Sequence, residues 1–375
     1  MKVRLLKVLF ALVVIMAGQG RVTFAQRADE NLQRLIEAAR REGQLDLMVT
    51  SSQGEKGAQE LLDAFKRRFG LNVTINADLS GQESQKFNQA ITETKSGIPP
   101  TFDLMQGEPP VALNLLRAGG IEEILNWDVL LAQIVPEAHK VKDKVSPGDL
   151  AGAGFLWATR ISGLLYNPKL ISERELPKTW KQMGDPKYRG AFSVPPWTTI
   201  TLMGLLQHEK KEWLEIVRSW GRNKPQVLTY SAGIERMLLG DLKFLEANDY
   251  YYFEHKAKDP NAPIGLAYFE DFTPLREAMY IVRRGARHSN AAKLFALWVT
   301  GPEANSLFEK YAYQTNVALG KGPVSQKVLK VLKERNIKPL SWFENSESLE
   351  KFRWLATKEG EEYSRAIARA QREGK

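Results

Sequence analysis

The chain of 375 residues contains no cysteine and only four histidines. The first absence excludes disulfide staples, thiolate metal sites and cysteine nucleophiles. It also closes the lipoprotein route, which needs a cysteine at the cleavage point. The second leaves little for imidazole chemistry: His139, His208, His255 and His288 form no pair at metal-ligand spacing. His255 lies in a charged stretch, Glu254-His255-Lys256, and reads as surface. No G-x-S-x-G, Walker or G-x-G-x-x-G pattern occurs, so nothing in the residues argues for catalysis or for a bound cofactor. Beyond residue 26 no apolar run approaches the roughly 20 residues that a spanning helix needs. A basic stripe with interleaved aromatics, the footprint of nucleic-acid binding, is also missing.

What is present begins at the N-terminus. Lys2, Arg4 and Lys7 precede a short apolar run, Leu9 to Ala17, and a polar stretch ends in Thr23-Phe24-Ala25. That order is a secretory signal peptide, residues 1–25, with cleavage expected near Ala25 and a new N-terminus at Gln26. The formal net charge of +9 loses the four cations Lys2, Arg4, Lys7 and Arg21 with that segment and falls to +5. A mild positive excess suits an anionic ligand or surface. The tail from Lys351 to Lys375 alternates Lys and Arg with Glu, the pattern of a solvated helix face.

Along the chain, helix and strand alternate. Leu32, Leu35, Ile36 and Ala39 recur at helical spacing. Leu45 to Thr50 reads as a strand, a second helix spans about Ala58 to Phe69, and Leu71 to Asn76 makes the next strand. A third unit follows, with a helix from Glu83 to Lys95 and a strand at Phe102 to Met105. This is the grammar of an α/β fold with a largely parallel sheet. In such sheets ligands sit beyond the carboxyl ends of strands, where helix N-termini offer free N–H groups. Ser51 and Ser52, Ser80 and Gly81, and Gln106 and Gly107 occupy three such strand exits in succession. Any one of them can serve as a helix cap alone, and for Ser80 that is the favoured role, but three polar strand exits in succession favour a shared cleft.

Later segments differ. Phe155-Leu156-Trp157 and Gly163 to Tyr166 read as strands around Ala158-Thr159-Arg160. Turn-rich stretches lead to a strand at Ala191 to Val194 and then to Pro195-Pro196-Trp197-Thr198-Thr199. Residues 212 to 247 are mostly helical, Ile264 to Phe269 reads as a strand, and only amphipathic helices are expected from residue 322 on.

Several blocks, in this order, resemble a known family. They are Glu42-Gly43, Ala64 to Val73, Leu165-Tyr166-Asn167, Leu176 to Trp180 with Asp185 to Gly190, and His288 to Phe295 followed by Gly301-Pro302-Glu303. Together they are similar to the family 1 extracellular solute-binding proteins of ABC importers, in the branch that includes ferric-ion-binding proteins. The resemblance implies a two-lobed α/β fold of the type 2 periplasmic-binding kind, with hinge strands between the lobes and C-terminal helices. Lobe 1 would be 27–153 plus 266–375 and lobe 2 would be 154–265, with crossings near Phe155 to Arg160 and Ala262 to Phe269. It also implies a periplasmic monomer that takes a small molecule and hands it to a membrane permease and ATPase. A ligand-sensing receptor on the same fold is the rival reading.

Two ligand classes remain open. Asn248-Asp249-Tyr250-Tyr251-Tyr252 is similar to the adjacent tyrosines of ferric-binding members, which would make Tyr250 and Tyr251 metal ligands; a strand rich in aromatics is the structural alternative. The stretches where those members carry further ligands read Ser51-Ser52-Gln53-Gly54 and Thr198-Thr199-Ile200-Thr201 here. Hydroxyls instead crowd the expected cleft, and Arg160 offers a fork donor for carboxylate or phosphate. An organic or phosphorylated anion is therefore the leading expectation. Its candidate site residues are Ser51, Ser52, Ser80, Gly107, Thr159, Arg160, Trp197, Thr198, Thr199, Asp249 and Tyr250, with no metal and no cofactor.

Overall fold

A computed structural model describes residues 30–375; the expected signal segment lies outside the described residues. Helix α1 (residues 30–42) buries Leu35, Ile36 and Ala39, the face its periodicity marks. Gly43, at φ +69°, takes the left-handed conformation that glycine adopts without strain and releases the chain into β1 (Gln44–Met48). α2 (Gly54–Phe69), β2 (Thr74–Asp78), α3 (Glu83–Ser96), β3 (Leu104–Gly107) and α4 (Pro109–Arg117) follow. β2 and β3 both run parallel to β1.

Two long strands join this unit to a second one. β4 (Gly154–Tyr166) spans 13 residues. From Gly154 to Ile161 it pairs antiparallel with β9 (Thr273–Val282), and from Ser162 to Tyr166 with β7 (Phe244–Asn248). The short strands β5 (Phe192–Val194), β6 (Gln226–Val227), β8 (Gly265–Ala267) and β10 (Pro339–Leu340) complete the set. The strand order is β2-β1-β3-β9-β4-β7-β5-β6, with β10 on β9 and β8 on β4.

The two strands expected around Ala158 to Arg160 are one strand with a bulge. The register shifts between Leu156 and Ala158, and the extra residue, Trp157, turns into the core and packs 4.3 Å from the Phe308 ring. The return crossing also differs from expectation. Ala262 to Phe269 supplies only β8, which pairs with the far end of β4, and the long partner of β4 is β9, a strand the sequence reading does not contain.

Two large apolar cores result. Leu47, Phe65, Phe155, Trp157 and Phe295 belong to the first; Trp180, Trp213, Trp220, Phe244 and Phe269 belong to the second. Trp342, Phe352 and Ile367 also join the second core. They bring the helices Ser346–Leu355 and Lys358–Glu373 onto that half of the molecule, whereas residues 266–375 were expected with the first.

The motif blocks meet in space. The Glu42 carboxylate, at the end of α1, accepts hydrogen bonds from Asn290 N (3.0 Å), Asn290 Nδ2 (2.7 Å) and Ala291 N (2.8 Å). It thereby caps the helix Ser289–Trp298, where a negative charge is favoured. Replacing Glu42 with Ala leaves these donors without their partner. The expected loss is about 1–3 kcal/mol, read as a lower urea midpoint with an unchanged slope; an unchanged midpoint would remove Glu42 from the contacts that hold the first lobe.

Candidate functional site

Every residue of β4 is buried except Arg160, which is half-buried. Its direct partner across the antiparallel pair is Arg276 on β9. Residues directly opposite in such a pair share a face, and like charges there repel. A single carboxylate oxygen relieves the repulsion: Glu108 Oε1 lies 3.3 Å from Arg160 Nη1 and 2.5 Å from Arg276 Nη1. Glu108 stands between β3 and α4, at a strand exit. Arg160 Nε also donates to Gln314 Oε1 (3.2 Å), and Arg276 Nη2 donates to Asn248 Oδ1. Arg276 Nε is buried with no hydrogen-bond partner among the described residues, a donor left open.

Two further carboxyls adjoin the pair without neutralising it. Glu83 Oε1 accepts from Glu108 N at 3.0 Å, and burial, with the Glu108 charge adding, pushes the Glu83 carboxyl up to about 7. Burial pushes Glu246 up to about 7 as well, and its Oε2 accepts from Tyr230 OH at 3.3 Å. Burial thus moves both carboxyls toward the neutral form, while the guanidiniums keep their charge. Among the groups in direct contact, the two guanidiniums outnumber the one carboxylate they share.

An aromatic wall flanks it. Ring centroids lie 5.1 Å apart for Trp197 and Tyr230, 6.0 Å for Tyr230 and Tyr251, and 4.2 Å for Tyr250 and Tyr251. The tyrosines stand on the first turn of the helix Tyr250–Lys258, because β7 ends at Asn248; the aromatic-strand alternative does not hold. Burial raises the Tyr250 hydroxyl well above the usual phenol range, with Tyr251 adding and Arg160 opposing.

The other candidates divide. Ser52 joins the network, since its Oγ accepts from Gln314 Nε2 at 3.4 Å and Gln314 in turn holds Arg160; Ser51 is exposed beside it. Thr159 is structural. Its backbone N donates to Thr315 O (2.7 Å) and its Oγ1 accepts from Val317 N (3.0 Å), a latch that presents Gln314. Ser80 is exposed and binds Lys86 Nζ at 2.8 Å. Gly107 serves close packing, because a Cβ there would sit 2.5 Å from the Phe87 ring. Trp197, Thr198 and Thr199 are half-buried, on a segment pinned by Gln371 Nε2 to Pro195 O (2.7 Å) and Trp197 O (3.3 Å). Asp249 is 1% exposed and accepts from Tyr268 OH at 3.4 Å; burial pushes its carboxyl up to about 7.

Sequence reasoning passed over Glu108, Arg276, Gln314 and Tyr230. Glu108 was within reach, one residue beyond a strand exit already singled out. Two other features lie apart from the network. Asp46, Asp103 and His288 gather closely enough to suggest a metal site, but their bonds tie strands together. Asp103 Oδ2 accepts from Asp46 N (2.9 Å) and lies 2.7 Å from His288 Nδ1, and Asp46 takes bonds from Gln44 and Asn76. A cavity of about 600 Å³ lies among residues 173–178, 267–273 and 335–340 and contains none of the candidate residues. Its cations are paired, Arg335 with Glu173 at 2.9 Å and Lys338 with Glu344 at 2.6 Å.

Known proteins share both the sequence pattern and the fold. Residues 60–329 match the family model described as "Bacterial extracellular solute-binding protein". An Fe(3+)-binding periplasmic protein of Serratia marcescens is 24% identical over 303 residues, covering 77% of this chain and 83% of that one. An ABC transporter substrate-binding protein from Bradyrhizobium japonicum superposes with a TM-score of 0.64 at 16% identity, covering 88% and 99% of the two chains. The periplasmic binding protein AfuA from Actinobacillus pleuropneumoniae, solved with fructose-6-phosphate, gives 0.63 at 16% identity, covering 84% and 98%. The two-lobed type 2 periplasmic-binding fold is therefore the fold of this protein, and the chain belongs to the bacterial extracellular solute-binding proteins.

Proposed function

We propose that this chain is the exported receptor of an ABC importer, that it performs no catalysis, and that its cargo is a small phosphorylated organic anion. The observation that carries the ligand class is the cross-strand pair Arg160 and Arg276 held by one oxygen of Glu108. Two guanidiniums on adjacent strands form a double fork for phosphate oxygens. The wall of Trp197, Tyr230 and Tyr251 offers flat faces for the organic part. AfuA, which shares the fold, was solved with a sugar phosphate, and that lends the class support. The two arginines stand on strands common to both lobes, so a ligand that bridges them to the aromatic wall favours the closed state. Calorimetric titration with fructose 6-phosphate is expected to show binding that an uncharged hexose lacks. Arg160→Ala should weaken it by roughly 1.5–3 kcal/mol, the worth of a charged hydrogen bond. Equal affinity for fructose and its phosphate would overturn the ligand class.

Iron is the second reading, favoured by adjacent Tyr250 and Tyr251 and by the name of the Serratia relative. Against it stand the two guanidiniums, which repel a trivalent cation, and the burial that keeps Tyr250 protonated. Incubation with ferric citrate should therefore give no visible phenolate-to-iron band. A chelator-sensitive band that is lost in the double variant Tyr250→Phe, Tyr251→Phe would establish iron as cargo.

Export follows from the N-terminal pattern. Protein recovered from the periplasm is expected to begin at or near Gln26 by N-terminal sequencing, and an intact Met1 there would refute export by this route.

A further inference from the structure

Glu108 occupies the place that the proposed anion would need. Its Oε1 takes one donor from each guanidinium, and its Oε2 makes no hydrogen bond to any described residue. We infer that Glu108 is a built-in competitor: an internal anion that fills the Arg160–Arg276 seat until a ligand anion displaces it, and that thereby sets which anions bind. This inference rests on the anion reading of the same site.

Charge arithmetic makes the competition unavoidable. Among the groups in direct hydrogen-bond contact, two guanidiniums and one carboxylate leave a single positive charge. A monoanion can join that set without excess, whereas a phosphate dianion sharing the same donors with Glu108 would bring the total to negative and place like charges in contact. The dianion therefore enters by exchange. Exchange has a route on both sides. Arg160 is the more accessible cation, its side chain 14% exposed against 7% for Arg276. Glu108 is the N-cap residue of the nine-residue α4, and its side chain makes no capping bond there. Once displaced, the carboxylate can turn to that helix N-terminus, where the dipole favours a negative charge. The seat is thus protected when empty, since two opposed arginines, Arg276 buried and Arg160 half-buried, would strongly disfavour each other without a counter-charge.

The test is the full-length mature protein with Glu108→Gln, titrated with fructose 6-phosphate and, separately, with inorganic phosphate. Removing the competitor should tighten both by about tenfold or more, the factor equivalent to one charged hydrogen bond. Glu108→Asp keeps the charge but retracts it by one methylene; it should tighten binding to a lesser degree, and it serves if the Gln variant does not fold. Unchanged or weaker binding in both variants, with the wild type still binding phosphate esters, would overturn the competitor role and leave the anion reading intact. Failure of wild type and variants alike to bind any phosphate would overturn both.

Discussion

The antiparallel pairing of β4 with β9 is the constraint on which the rest depends. It fixes the two lobes relative to one another, because β4 gives its first eight residues to β9 and its last five to β7. It also forces Arg160 opposite Arg276. A fold does not place two buried like charges face to face without a counter-charge, since the repulsion adds to the desolvation of each group. Glu108 is that counter-charge, and it comes from another element, the β3–α4 junction. Strand pairing, charge balance and ligand chemistry therefore meet in three residues that are far apart in the sequence.

Much of the architecture was legible because local signals agreed with the global fold. The alternation of α1, β1, α2 and β2 could be read from apolar periodicity and from the glycines that end the helices. The motif blocks could be read as blocks, and the structure supplies the physical reason for two of them. Glu42 at one end of the chain caps the helix that begins with Ser289 and Asn290, so both must be present for either to serve. Of the ligand residues expected, Arg160 joins the Glu108–Arg276 group, and Ser52 and Tyr250 lie near it. Thr159, expected in the cleft, uses its hydroxyl to accept from Val317 N.

What stayed hidden was hidden for a reason. β9 carries Arg276 and Glu277 in the middle of an apolar run, which blurs both the alternating and the continuous pattern by which strands are recognised. Arg276 interrupts the pattern because it turns toward Arg160 and Glu108, while Glu277, on the opposite face, is buried and accepts from Ser341 Oγ. The position that defeats the strand signal is the one proposed to bind the ligand, as expected where local rules give way to a site. The C-terminal helices misled differently. Their amphipathic faces are plain in the sequence, but nothing local says which core an apolar face will cover. Contacts such as Tyr363 OH to Lys210 O at 2.8 Å and Gln371 Nε2 to Pro195 O answer that only in three dimensions. Through Gln371 these helices hold the segment that carries Trp197, so the end of the chain helps shape the aromatic side of the cleft.

The same cleft geometry explains how one fold can serve cargoes of opposite charge. A hard cation needs fixed negative donors, and here the acidic groups nearest the centre are committed or suppressed: Glu108 to two arginines, Glu83 and Glu246 to burial that moves them toward neutrality. A phenolate at Tyr250 would have to form beside the Tyr251 ring and away from water, which burial resists. The adjacent tyrosines that ally this chain with ferric-binding relatives thus sit within an electrostatic setting of the other sign. Tyrosine pairs mark the place of the cleft; the charges around them decide what it holds. In this chain those charges are two guanidiniums sharing one carboxylate oxygen, a setting that disfavours a bare cation.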